Sequence, residues 1–215
     1  MDKVVISMSG GLDSTTLLYT LKESYEVHPV FFTYGSKHND IEKRAAEDII
    51  SLLGMQLRVI DVSSIFKGTT SSLLNSDTEI PKGHYTDSIM ANTIVPGRNL
   101  IFISILASIA DNIKAKYIAL GVHAGDNYIY PDCRPDFLHN VTSAVLASTS
   151  GKVNILTPFV NLYKKHIIQK GHLLKVPFEL TRTCYTSNEI PCGVCAACVE
   201  RAEGFELANL KDPAL

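Results

Sequence analysis

Apolar residues along this chain come in short dense runs, separated by longer stretches of helical period. Val4-Val5-Ile6 is the first run, and a glycine pair, Gly10-Gly11, follows it. Over 14–21, Leu17, Leu18 and Leu21 share one face, which predicts a helix. Residues 27–33 are β-branched and aromatic, a second buried strand. Over 39–53, Ile41, Ala45, Ile49 and Leu52 line one side of a helix that Gly54 stops. A third strand is expected at 57–62. The stretch 63–97 is rich in Ser, Thr and Asp and lacks period; a loop of that length in a compact domain is functional or mobile. Pro96-Gly97 closes it. Then come a strongly apolar helix at 99–115, a strand at 117–122, a helix at 137–147, a strand at 153–156, and helices at 162–174 and 199–207.

Strands alternating with helices imply a parallel sheet with right-handed crossovers, an α/β fold. At 215 residues the chain suits one well-cored domain, and no repeat, low-complexity tract or linker divides it. A net charge of −2 gives no global basic field to draw in nucleic acid. No apolar run nears the ~18 residues of a membrane span, and the N-terminus lacks a signal-peptide layout. Five cysteines, an odd number with two overlapping Cys-x2-Cys spacings, suit thiolate ligands better than disulfides. The reading is a protein of the reducing cytoplasm that makes no direct contact with nucleic acid or membrane.

Two segments carry chemistry. The first is Ser9-Gly10-Gly11-Leu12-Asp13-Ser14, between a buried strand and a helix start. The glycines allow a tight turn with exposed N–H groups, and the helix start adds its unpaired N–H groups and positive dipole end. Ser9 and Ser14 can donate hydroxyls to phosphate oxygens. Asp13 would repel a phosphate unless a cation lay between them, so Mg²⁺ is implied. No lysine of the Gly-Lys-Ser/Thr kind stands in this loop. The plainer alternative is a βα turn with Asp13 or Ser14 as helix cap.

The second segment is Cys184-x7-Cys192-x2-Cys195-x2-Cys198. Four thiolates can close a tetrahedral Zn²⁺ site, structural because no position is left for water. An iron–sulfur cluster is the alternative. Cys133, outside this group, reads as a buried inert thiol by default, with Asp132 and Arg134 capping a helix or shaping a substrate site.

Together these residues resemble the 7-cyano-7-deazaguanine synthase family of the ATP pyrophosphatase superfamily. The loop Ser9 to Ser14 marks the superfamily. Tyr34-Gly35 with His38, Val95-Pro96-Gly97-Arg98-Asn99, the string Tyr130-Pro131-Asp132-Cys133-Arg134-Pro135, Thr157-Pro158, and Thr183-Cys184-Tyr185 leading to the cysteines and Arg201 mark the family. Members often have Ser-Gly where this chain has Tyr128-Ile129, Trp where it has Arg182, and Gly where it has Asn209.

The resemblance implies a doubly wound, mostly parallel five-stranded sheet of the adenine nucleotide alpha hydrolase kind. A nucleotide-binding domain would span 1–180, with a zinc-binding elaboration and final helix over 181–215. It implies ATP with Mg²⁺ held along Met8, Ser9, Gly10, Gly11, Leu12, Asp13, Ser14, Thr15, Thr16, Leu17 and Leu18, with Tyr34, Gly35 and Gly121 around the nucleotide. Asp13, Arg98, Asp132, Arg134 and Lys164 are the expected catalytic and acceptor-side residues, though Arg98 and Lys164 also read as ordinary helix-start and solvated-face residues. One structural zinc per chain would sit on Cys184, Cys192, Cys195 and Cys198. The implied reaction is ATP-dependent carbon–nitrogen ligation turning 7-carboxy-7-deazaguanine and ammonia into a nitrile, by a homodimer. The rival readings are a tRNA-modifying relative, an enzyme that amidates or conjugates a deazaguanine, and a non-catalytic nucleotide sensor.

Overall fold

The computed structural model describes residues 1–75, 77–84 and 91–214. Five strands form one all-parallel sheet: β1 (Lys3–Ser7), β2 (Glu26–Thr33), β3 (Arg58–Asp61), β4 (Tyr117–Ala119) and β5 (Asn154–Leu156), in the order β3-β2-β1-β4-β5. The helices are α1 (Leu12–Leu21), α2 (Asn39–Leu52), α3 (Arg98–Asn112), the one-turn α4 (Ala124–Asn127), α5 (Pro135–Ser148), α6 (Lys164–Leu173) and α7 (Ala196–Leu207).

The two-residue period of a strand sorts its side chains between two cores. In β1, Val5 joins one cluster with Phe102, Ile103 and Leu106 of α3 and Leu138, Val141 and Val145 of α5. Its neighbours Val4 and Ile6 join the other, with Leu17 and Leu18 of α1, Ile49 of α2, Ile167 and Ile168 of α6 and Phe205 of α7. A sheet covered on both faces explains why its strands read as continuous apolar runs.

Strands β1 to β3 add outward in one direction, and β4 returns to the far side of β1. The chain therefore splits above the carboxyl ends of β1 and β4, where open α/β sheets form a crevice. Strand β4 stops at Ala119, short of the 117–122 expected, because β5 offers only Asn154 to Leu156 to pair with it. Residues 120–123 are thereby released into the crevice. In the long loop, Ser63–Phe66 forms a 3-10 turn and Leu73 reaches the core; Ser76 and 85–90 lie outside the described residues.

Residues beyond 181 fold back on the same body. Arg182 N donates to Gly10 O at 2.9 Å, and α7 packs against α6. Buried Arg201 ties this end down, donating from Nε and Nη2 to both oxygens of Asp212 and from its remaining N–H groups to Thr181, Thr183 and Phe178. Among the described residues no helix is long and apolar enough to cross a membrane.

Candidate active site

The crevice is lined first by the β1–α1 turn. Gly10 sits at φ +78°, and a Cβ there would come within 2.6 Å of Ala46 N and 2.7 Å of Glu42 O. Glycine is thus needed twice over, for its backbone angle and for the close approach of α2. Ser14 Oγ lies 3.1 Å from Ser9 Oγ and accepts from Ser9 N, so the loop closes on itself at the start of α1, where unpaired N–H groups favour an anion.

One end of the crevice is acidic. Lys164, the first residue of α6, is buried and its Nζ donates to Asp13 Oδ2 at 2.7 Å and lies 3.2 Å from Glu200 Oε2. Its stem runs along α7 where a Cβ on Gly204 would stand 2.6 Å from Lys164 Cγ. Burial works against the charge of Lys164, but Asp13 and then Glu200 raise its pKa above that of an ordinary lysine. Burial likewise opposes the Asp13 carboxylate, and Lys164 and His123 together still lower its pKa. Glu200 goes the other way, raised chiefly by burial. His123 accepts from Gly125 N through Nδ1 and turns Nε2 toward Asp126 at 3.5 Å and toward Asp13 and Glu200 at 3.9 Å. Asp13 Oδ1 is buried with no partner among the described residues, so the donor set fits the cation that the loop's charge calls for.

The opposite end is aromatic and cationic. Tyr34, Phe102, Tyr130 and Tyr185 line it with Arg98, Arg182, His38 and Glu42. Arg98 Nη1 donates to Tyr34 Oη at 3.3 Å and the guanidinium lies over that ring. Arg182 donates to the carbonyls of Thr186, Asn188 and Glu189 and so gathers the turn before Cys192.

Not every expected site residue reaches the crevice. Ser9, Gly11, Leu12, Asp13, Ser14, Tyr34, Arg98, Gly121 and Lys164 line it. Met8, Leu17 and Leu18 are core residues of the sheet's second face. The hydroxyls of Thr15 and Thr16 donate back to Gly11 O and Leu12 O within α1. Gly35, at φ +86°, makes the turn after β2 without lining the cavity. Asp132 accepts from Asn99 N at 2.9 Å, where a carboxylate complements the dipole of α3 and fixes the start that carries Arg98. Arg134 is exposed and donates from Nε to Asn127 O. Cys133 does line the crevice, but burial raises its thiol pKa well above the usual value, which leaves it a weak nucleophile.

Glu42, His123, Asp126, Arg182 and Glu200 were missed. The usable signal lay in position alone: 122–126 follow a strand's carboxyl end, and Glu200 stands one turn from Gly204 on α7.

The four cysteine sulfurs lie within 4.8 Å of one another, and Cys184, Cys195 and Cys198 are buried. A tetrahedron with metal–sulfur bonds of about 2.3 Å has sulfurs about 3.8 Å apart, and Cys184 and Cys195 stand at 3.9 Å. Cys192 N and Thr186 N point at Cys184 Sγ, and Cys195 N at Cys192 Sγ, the backbone support a thiolate site needs. The set fits a single metal ion.

The family model "Queuosine biosynthesis protein QueC" matches residues 3–209. The chain belongs to the QueC family. Its relatives include the 7-cyano-7-deazaguanine synthases of Caldicellulosiruptor bescii, 39% identical over 212 residues (98% of this chain and 96% of that one), and of Pseudoalteromonas atlantica, 40% identical over 214 residues (99% and 98%). That of Archaeoglobus fulgidus is 40% identical over 215 residues, 99% of this chain and 90% of its own. Among solved structures, the NMN synthetase of Francisella tularensis has a TM-score of 0.52 at 17% identity, over 97% of this chain and 77% of that one. The NH3-dependent NAD synthetase of Campylobacter jejuni has a TM-score of 0.50 at 15% identity, covering 83% and 66%. These neighbours share the fold, and the QueC relatives share the chain nearly end to end.

Proposed function

We propose that this chain uses two ATP molecules to turn 7-carboxy-7-deazaguanine and ammonia into 7-cyano-7-deazaguanine. A substrate carboxylate oxygen attacks the α-phosphorus of ATP and pyrophosphate leaves. Ammonia then displaces AMP from the acyl carbon and gives the amide. The amide oxygen attacks a second ATP in the same way, and loss of AMP and of both nitrogen-bound protons leaves the nitrile.

In this reading the amides of the Ser9 to Ser14 turn and Lys164 hold the departing pyrophosphate, where charge develops in the transition state. Asp13, with its free Oδ1, holds the magnesium ion that accompanies ATP and neutralises phosphate charge. Asp126 and Glu200 accept the protons that ammonia gives up, and Arg98 orients the acceptor. Positioning and charge compensation carry the chemistry, with no covalent enzyme intermediate. The four cysteines hold structural zinc. We also infer from the family a homodimer of the reducing cytoplasm, where none of the five cysteines is drawn into a disulfide.

The observation that carries this reading is the near-complete match to relatives named for the nitrile product, on a fold whose crevice pairs Asp13 with Lys164. Purified protein with ATP, Mg²⁺, ammonium and the carboxylated base should give the nitrile mass, with the amide appearing first. ATP consumption with neither amide nor nitrile would overturn it. Accumulation of the amide alone would favour the amidating alternative.

A further inference from the structure

Glu42 lines the crevice with no lysine or arginine paired to it among the described residues. Its side chain is 16% exposed, on the inner face of α2, and no N–H group among the described residues donates to it. Its nearest polar neighbour is His38 Nε2, 3.6 Å from Oε2, beyond hydrogen-bond length. His38 cannot supply the missing donor. Its Nδ1 faces the carbonyl of Tyr185 at 3.1 Å, and a carbonyl only accepts, so Nδ1 carries the ring proton. Burial, with Arg98 second, lowers the His38 pKa to about 4, so the ring is neutral and Nε2 presents a lone pair. The Glu42 carboxyl and His38 Nε2 therefore stand together in a crevice wall with no protein donor on them among the described residues. They open onto the crevice, so it is an incoming ligand that can supply the donors the protein does not.

Neighbouring residues define the ligand's shape. Tyr34, Phe102, Tyr130 and Tyr185 supply flat walls. Arg98 and Arg182 form no ion pair with a carboxylate among the described residues and so leave positive charge for an anionic or carbonyl substituent. A planar heterocycle with a run of donors on one edge and acceptors elsewhere fits these demands. Adenine does not, because its 6-amino group is flanked on both sides by ring-nitrogen acceptors that would face the acceptors of the wall. The 2-aminopyrimidin-4-one edge does, since N1–H and the 2-amino group offer three N–H bonds in a row.

We propose that Glu42, with His38 beside it, is the specificity-determining residue that reads the 2-amino and N1–H edge of the acceptor base. This rests on the function proposed above. Two N–H bonds meet the carboxylate and the third meets His38 Nε2, while the ring's carbonyl or carboxylate turns toward Arg98 or Arg182.

The test uses the intact protein with two acceptors, 7-carboxy-7-deazaguanine and the same base lacking its 2-amino group. Wild type should favour the first in kcat/KM by about 10- to 100-fold. Glu42→Gln, which puts a donor where acceptors are needed, should raise KM for the full base by about 10-fold or more, leave KM for ATP within about 2-fold, and shrink the preference between the bases. Equal use of both bases by wild type, which needs no mutant to fold, overturns the proposal. So does a rise in KM for ATP in place of the base, which would put adenosine on this wall. If wild type makes no product from the full base, the function reading falls and this one with it; if it does and the preference is absent, only this one falls.

Discussion

The turn at the chain's start and the cysteine segment at its end are both shaped to take a charged ligand, but they are built on different foundations. The turn hangs from β1 and α1, whose Val4, Ile6, Leu17 and Leu18 are wholly buried in the larger framework. The cysteine segment has a core of its own of only Cys184, Cys195, Ala197 and Cys198, fringed by Ile80, Tyr185 and Cys192. Scaffolding by sheet and helix makes the turn independent of its ligand. A core made of sulfurs that can ligate a metal should make the segment dependent on that metal.

The largest effect should come from removing one sulfur. Apparent binding energies of structural zinc in small motifs are about 10–16 kcal/mol, comparable to a whole domain's ~5–15 kcal/mol. Cys195→Ser should therefore lose zinc by plasma-emission analysis and yield insoluble or partly unfolded protein. A soluble, zinc-free mutant of normal melting temperature would break the contrast. Next comes Arg201, whose charge is buried and paired on Asp212. Arg201→Ala strands that carboxylate and should cost about 3–5 kcal/mol in denaturant unfolding. A loss below ~1 kcal/mol would show that the segment needs only its metal.

On the turn, Asp13→Asn should slow product formation by about 10²- to 10³-fold while the melting temperature stays within a few degrees. The surviving Lys164 to Glu200 pair keeps the lysine anchored. Near-normal turnover would remove Asp13 from the machinery.

The smallest effect is a pH slope. Burial raises the Glu42 pKa from 4.5 to about 8, with Arg98 and Arg182 acting against it. The folded, ligand-free state thus keeps a proton that the unfolded chain has released and that the donors of a bound base would displace, and stability falls as pH rises through that window. His38, lowered from 6.5 to about 4, contributes the opposite slope below 6.5. Between pH 6.5 and 8 the melting temperature of the ligand-free protein should fall more steeply in wild type than in Glu42→Gln. Parallel curves would show that Glu42 is ionised throughout.

The same contrast governs what the sequence could reveal. Element order was legible because each strand is buried on both faces, so its apolar run stands out against the helices' 3.6-residue period. Strand order was not, because nothing local tells β4 to return beside β1. The turn and the cysteines announced themselves, since both depend on neighbours in sequence. Glu42 and Glu200 did not: on α2 and α7 each reads as part of a solvated face, and only the packing of α2 on Gly10 and of α7 on Lys164 turns them inward. Asp132 shows the converse, a residue of the most family-specific string that holds a helix end rather than the cavity.

A hydrogen bond from Arg182 N to Gly10 O, two residues ahead of Cys184, joins the two regions. Free-energy coupling across such a joint is reciprocal: whatever factor metal adds to nucleotide affinity, nucleotide adds to metal affinity. A chelator then becomes a gauge of occupancy. At a fixed chelator concentration the metal content of nucleotide-loaded and empty protein should then differ by that same factor.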